Sequence, residues 1–137
     1  MLNFFTENVD FDLLRPLKTK KWIKNTSISE GYEIADLNYI FCDDNYLLEI
    51  NKQYLDHDYF TDIITFDNSE EDNVIEGDIY ISVDRVRENA ATFQADFETE
   101  MRRVLIHGLL HLMGYDDTDE KLKSAMRAKE DQYLLLF

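Results

Sequence analysis

Apolar and polar positions change period several times along the chain, and each change marks a new element. Residues 2–6 form a short apolar run suited to a strand. Residues 17–26 suit a helix, with Pro16 tolerated near its start. Glu30-Gly31 marks a turn, after which residues 32–42 alternate, with Ile34, Leu37, Tyr39 and Phe41 reading as a strand with one irregularity. Asp43 is a good N-cap, and Tyr46, Leu47, Ile50 and Tyr54 then recur at helical spacing as far as about Leu55.

Residues 61–66, Thr-Asp-Ile-Ile-Thr-Phe, are dense in β-branched side chains and predict a strand. An acidic loop over 67–76 follows, expected to be exposed, and then residues 77–82 alternate as a second strand pairing antiparallel with the first. Helices are predicted over 84–93, 97–113 and 119–135, the last capped by Thr118 or Asp119. This order predicts an α+β fold in which a mixed sheet of about four strands is covered by helices. Met101, Leu105, Leu109 and Leu112 should form the buried stripe of the fourth helix, with His107 and His111 on an adjacent face toward a cleft.

Length changes this picture little: 137 residues, 45% of them apolar, make one domain over 1–137 with a real core. A single cysteine, Cys42, reads as a small core residue in a reduced intracellular protein. No secretory leader pattern and no apolar run of membrane-spanning length is visible, so the expectation is a cytoplasmic protein without a membrane partner. The net charge of -15 argues against general attraction to nucleic acid. Its distribution is uneven. Arg15, Lys18, Lys20, Lys21 and Lys24 lie in an acid-free stretch over 13–29, read either as a basic patch or as the solvated face of a helix.

The chemistry gathers in residues 107–117, His-Gly-Leu-Leu-His-Leu-Met-Gly-Tyr-Asp-Asp. Two histidines four apart on a helix share a face and can converge on one divalent ion. Gly114 permits the left-handed turn that brings the chain back, offering Asp117, or its neighbour Asp116, as third ligand. The spacing resembles that of the metzincin zinc enzymes, with one departure. Gly108 stands where those proteases carry a glutamate base, which weakens a metallopeptidase reading.

With residues 50–54 and 61–66 and with Gly77-Asp78-Ile79, this signature resembles the YbeY family of rRNA maturation factors, over roughly residues 46–120. The resemblance implies a zincin-like α+β fold with a metal site at the end of a helix. It also implies a metal-dependent single-strand endoribonuclease acting in small-subunit rRNA 3′-end maturation and ribosome quality control. Zinc, one ion per chain, or another divalent metal is the implied cofactor, held by His107, His111 and Asp117. Implied partners are single-stranded rRNA, the small ribosomal subunit and an assembly GTPase. Two residues depart from the family pattern: Asp117 replaces a usual histidine, and Leu55 replaces a usual arginine.

Arg103, one turn before His107, and Arg85, after the 77–82 strand, are candidates to take over phosphate contact and so to join His107 and His111 in catalysis. The alternative is that they pair with acids such as Glu100 or Asp84. Asp62 and Asp78 are candidates to orient a ligand histidine or water. Tyr54, Tyr59 and Phe60 are candidates to stack on an unpaired base, and His57 reads as a loop histidine. A non-enzymatic assembly factor stabilised by its metal is the remaining alternative.

Overall fold

The computed structural model describes residues 1–137. Nine elements follow in the order β1 (Leu2–Glu7), α1 (Pro16–Ser29), β2 (Glu33–Cys42), α2 (Asp44–Leu55), β3 (Ile63–Asp67), β4 (Val74–Ser82), α3 (Val83–Thr92), α4 (Phe97–Leu112) and α5 (Glu120–Leu134). The strands form one mixed sheet ordered β1-β2-β4-β3, as the α+β reading anticipates. β1 and β4 both run parallel to β2, and β3 closes the edge as an antiparallel partner of β4. Parallel neighbours need a long crossover, and α1 supplies the one between β1 and β2.

Side chains alternate strictly on β4, so the strand separates two compartments. Ile75, Ile79 and Ile81 are fully buried on one face, where they join the main core with Leu37, Tyr39 and Phe41 of β2 and the apolar residues of α4. On the other face a smaller cluster of Cys42, Leu47, Ile50 and Ile64 packs under α2, with Phe66 and Tyr80 against it. Burial and nearby carboxylates push the Cys42 thiol up to about 12, consistent with an inert core residue. The core stripe predicted for α4 is buried as expected, and Val104, Ile106, Gly108 and Leu110 are buried too. Helix α4 is therefore central. Each fully buried aliphatic side chain of this kind contributes about 1.5–3 kcal/mol.

Gly108 marks where α4 crosses the sheet. A Cβ there would stand 2.8 Å from Ile63 Cδ1 and 3.0 Å from Ile79 Cγ2, so the missing side chain is what lets helix and strands approach. The position faces packed isoleucines. Two polar tethers fix α4 and α5 against the rest: Tyr39 Oη donates to Leu105 O at 2.9 Å, and Trp22 Nε1 donates to Tyr133 O at 2.8 Å.

Boundaries differ from the sequence reading by more than one residue chiefly in three places. Val74 and Ile75 belong to β4, not to the acidic loop, because they pair with Glu33 and Ile34 across a register shift in β2. β3 starts two residues later than expected, at Ile63, and α1 runs on to Ser29 with Thr26 and Ser27 buried. Asp43 and Asp119 cap α2 and α5 by accepting from Tyr46 N and Leu122 N. No helix is long and apolar enough to cross a membrane.

Candidate metal centre

Helix α4 ends in a turn that glycine makes possible. Gly114 has φ 92°, Tyr115 N donates to Leu110 O at 3.0 Å and Gly114 N to His111 O at 3.0 Å, the paired bonds of a Schellman ending. The turn is then pinned from outside. Tyr32 Oη donates to Met113 O at 2.8 Å, and Tyr115 Oη donates to Glu30, which also accepts from Tyr133 Oη and from Lys129 Nζ at 3.1 Å. Burial alone would raise the Glu30 carboxyl, but the Tyr115, Tyr133 and Lys129 donors outweigh it and hold the group below the usual carboxylate range.

This anchoring brings Asp117 back over the last turns of α4. His107 Nε2 and His111 Nε2 lie 3.0 Å apart, and Asp117 Oδ2 lies 3.5 Å from the first and 3.6 Å from the second. Two ligands held about 2.0–2.1 Å from a tetrahedral zinc stand roughly 3.4 Å apart, so the three spacings fit one ion. Nitrogens this close share either a proton or a cation, and the nearby carboxylate oxygen gives the set the donors of a metal site. Asp116 does not share the site. Its carboxylate turns back to accept from Asp117 N at 2.7 Å and from Thr118 Oγ1 at 3.3 Å, leaving Asp117 as the carboxylate beside the histidines.

Behind His107 stands a residue that the sequence reading missed. Glu130 of α5 is 4% exposed, and its Oε2 lies 2.7 Å from His107 Nδ1. With Nδ1 carrying the proton toward Glu130, Nε2 presents its lone pair to the ion, the usual way a metal-bound imidazole is fixed in one tautomer. Arg103 holds Glu130 in turn: Nη1 donates to Glu130 Oε1 at 2.9 Å and Nη2 to Asp131 Oδ1 at 2.6 Å. Burial would lower the His107 imidazole, yet Glu130, Asp117 and Asp62 outweigh it and raise it. Burial would raise Glu130, but His107 and Arg103 carry it below its ordinary range. One signal was available. Met126, Glu130 and Tyr133 are the three buried residues of α5, so the acid sits at an apolar-stripe position.

A polar cleft of about 420 Å³ opens beside this cluster, lined by His107, Asp117 and Glu130 and reaching Asp62, Glu100 and Arg127. Asp62 is pushed above the usual carboxylate range, burial outweighing the pull of His107. The family model described as Endoribonuclease YbeY matches residues 7–137. The chain belongs to the YbeY family. It is 52% identical to the endoribonuclease YbeY of Cytophaga hutchinsonii over 133 residues, 97% of this chain and 93% of that protein. To the endoribonuclease YbeY of Flavobacterium psychrophilum it is 50% identical, over 97% of this chain and 94% of that protein. The solution structure of TM1509 from Thermotoga maritima superposes with a TM-score of 0.72 at 32% identity, covering 98% of this chain and 87% of that one.

Within this YbeY fold the remaining sequence candidates scatter. Arg103 faces the cleft but is engaged by Glu130 and Asp131, not by Glu100. Arg85 pairs with Asp44 at 2.9 Å and Glu88 at 3.2 Å, not with Asp84, and lies 5.2 Å over the Phe60 ring. Each shows the ion-pair arrangement, with other partners than those expected. Asp62 lines the cleft, whereas Asp78 points to the opposite sheet face, where it accepts from Asn38 Nδ2 at 3.0 Å. Orientation of His107 falls to Glu130 instead. Tyr54, Leu55, Tyr59 and Phe60 are exposed, and His57 is a loop residue 3.0 Å from Tyr59 Oη.

Proposed function

We propose that this YbeY-family chain is a metal-dependent endoribonuclease that hydrolyses phosphodiesters of single-stranded RNA in the cytoplasm. Its setting would be 3′-end maturation of small-subunit rRNA and ribosome quality control, with the small subunit and an assembly GTPase as partners. The observation that carries the reading is the convergence of His107, His111 and Asp117, within 4.8 Å of one another, in a chain of this family. A divalent ion held there, zinc by the donor set, would supply Lewis acidity at a phosphoryl oxygen and acidify water into the neutral range.

The chain's own residues divide the remaining work. Glu130 keeps the His107 proton on Nδ1, and Arg103 keeps Glu130 charged and fixed. Asp62, raised by burial and facing the same cleft, is placed to accept or return a proton there. Position 108 cannot provide a base, since it is occupied by helix-to-sheet packing; that argues against peptide hydrolysis.

A non-enzymatic assembly factor is the second reading, favoured by one observation: Arg103 and Arg85 are both engaged by carboxylates. The test is cleavage of a labelled single-stranded RNA by wild type and His111→Ala, with and without chelator. Cutting by metal-loaded wild type alone supports the nuclease. Metal-dependent stability with no cutting supports the assembly factor.

A further inference from the structure

The cleft holds more negative than positive side chains near the donor cluster, which is an awkward lining for a polyanion. Asp62, Glu100, Asp117 and Glu130 face it, and Arg103, the cation closest in chain to His107, spends both terminal guanidinium nitrogens on Glu130 and Asp131. A substrate phosphate gains little from a cation already paired twice. Two other cations line the same cleft, Lys123 and Arg127, successive turns of α5. Lys123 pairs with Glu120 at 3.8 Å on the open surface.

Arg127 is different. It is exposed, no carboxylate lies within 4.0 Å of its guanidinium, and Asp131, its natural partner one turn along α5, is held by Arg103 at 2.6 Å instead. Met126 beside it is buried, which fixes the backbone from which Arg127 projects. Its charge already reaches the cleft floor, where it and Arg103 pull against the burial that raises Glu100. A guanidinium with free parallel N–H donors matches two phosphate oxygens at once.

We propose that Arg127 is a substrate-binding residue, donating to a phosphate of the single-stranded RNA at the α5 rim of the metal cleft. The inference rests on the endoribonuclease reading for the identity of the strand. It assigns the phosphate contact to α5, in the same cleft that His107 and Asp117 line.

The test compares wild type, Arg127→Met, Arg127→Lys and, as a remote control, Lys21→Met. Steady-state cleavage of a labelled single-stranded RNA is measured with metal, and binding of the same RNA by stopped-flow fluorescence anisotropy, also with metal and before turnover, across a salt series. Arg127→Met should raise KM roughly tenfold, the scale of one hydrogen bond to a charged group, and leave kcat within about twofold. It should also lower the slope of log affinity against log salt by about 0.7, one single-strand phosphate contact. Arg127→Lys should restore the slope, and Lys21→Met should match wild type. Unchanged KM and slope in Arg127→Met, or equal losses in Lys21→Met, overturn the assignment. Wild type that binds RNA with an Arg127-dependent slope yet never cuts would overturn the nuclease reading and keep the contact. Wild type that does not bind RNA overturns the contact.

Discussion

Helices α4 and α5 pack together and supply the two halves of the centre, but they are built on opposite terms. α4 is buried over most of its surface, and two histidines one turn apart break its apolar run, so spacing alone exposes them. α5 is mainly exposed and charged, with only Met126, Glu130 and Tyr133 buried, so its one working acid hides among many surface acids. The two candidate histidine ligands thus sit on the more buried helix, Asp117 on the turn between the helices, and the carboxylate behind His107 on the more solvated helix. Precision in a metal site depends on both, because an unsupported imidazole can rotate and change tautomer.

The largest expected effect breaks the α4 half. His111→Ala should remove the bound ion, taking metal content from one per chain to none, and abolish cleavage, both read on protein purified without chelator. The α5 half should weigh less. Glu130→Gln keeps the shape of the side chain and removes the charge behind His107, and it should weaken metal affinity by about 10–100-fold, measured by competition with a chromogenic chelator. A loss as complete as that of His111→Ala would place Glu130 among the ligands and erase the distinction between the halves.

The joint between the halves comes next. Glu30 receives Tyr115 from the turn and both Lys129 and Tyr133 from α5, so Glu30→Gln should cost about 1–3 kcal/mol in urea unfolding. The sign with pH follows from its lowered carboxyl. The charged form is favoured by the fold, so its stabilisation is fully present above the unfolded value of about 4.3 and is lost as pH falls through the lower folded value. Glu30→Gln should lack that acid-sensitive component; an unaltered acid profile would show that Glu30 does not carry it. Smallest is Gly108→Ala, where gain in helix propensity of about 1 kcal/mol offsets part of the clash with Ile63 and Ile79. A net destabilisation near 1 kcal/mol is expected, with metal content unchanged.

The same contrast explains what could be read in advance. The α+β order, the stripe of α4 and the His107–His111–Asp117 cluster were legible because each rests on a local period or a glycine turn. Spacing favours Asp117 as the third member, and what sequence leaves open, whether Asp116 shares the site, is decided by Asp116 bonding to the turn with its own side chain. Sequence points for the carboxylate behind His107 to Asp62, just before β3, and Asp78 of β4, because spacing does not reveal that α5 folds back across α4. Likewise Arg103 and Arg85 could be located but their partners, Glu130, Asp131 and Asp44, are distant in sequence. Gly108 reads in the sequence as a missing base, and the packing of Ile63 and Ile79 against it shows why a glutamate has no room there.

RNA cleavage should depend on an ion held by His107, His111 and Asp117. The most direct test of this dependence strips the protein with chelator, titrates zinc back, and follows cleavage of a labelled single-stranded RNA alongside bound metal. Activity in the wild type should rise from background and saturate at one ion per chain, while Asp117→Ala and His111→Ala stay at background. Cutting that persists in the stripped protein, or that returns equally in those variants, would contradict it.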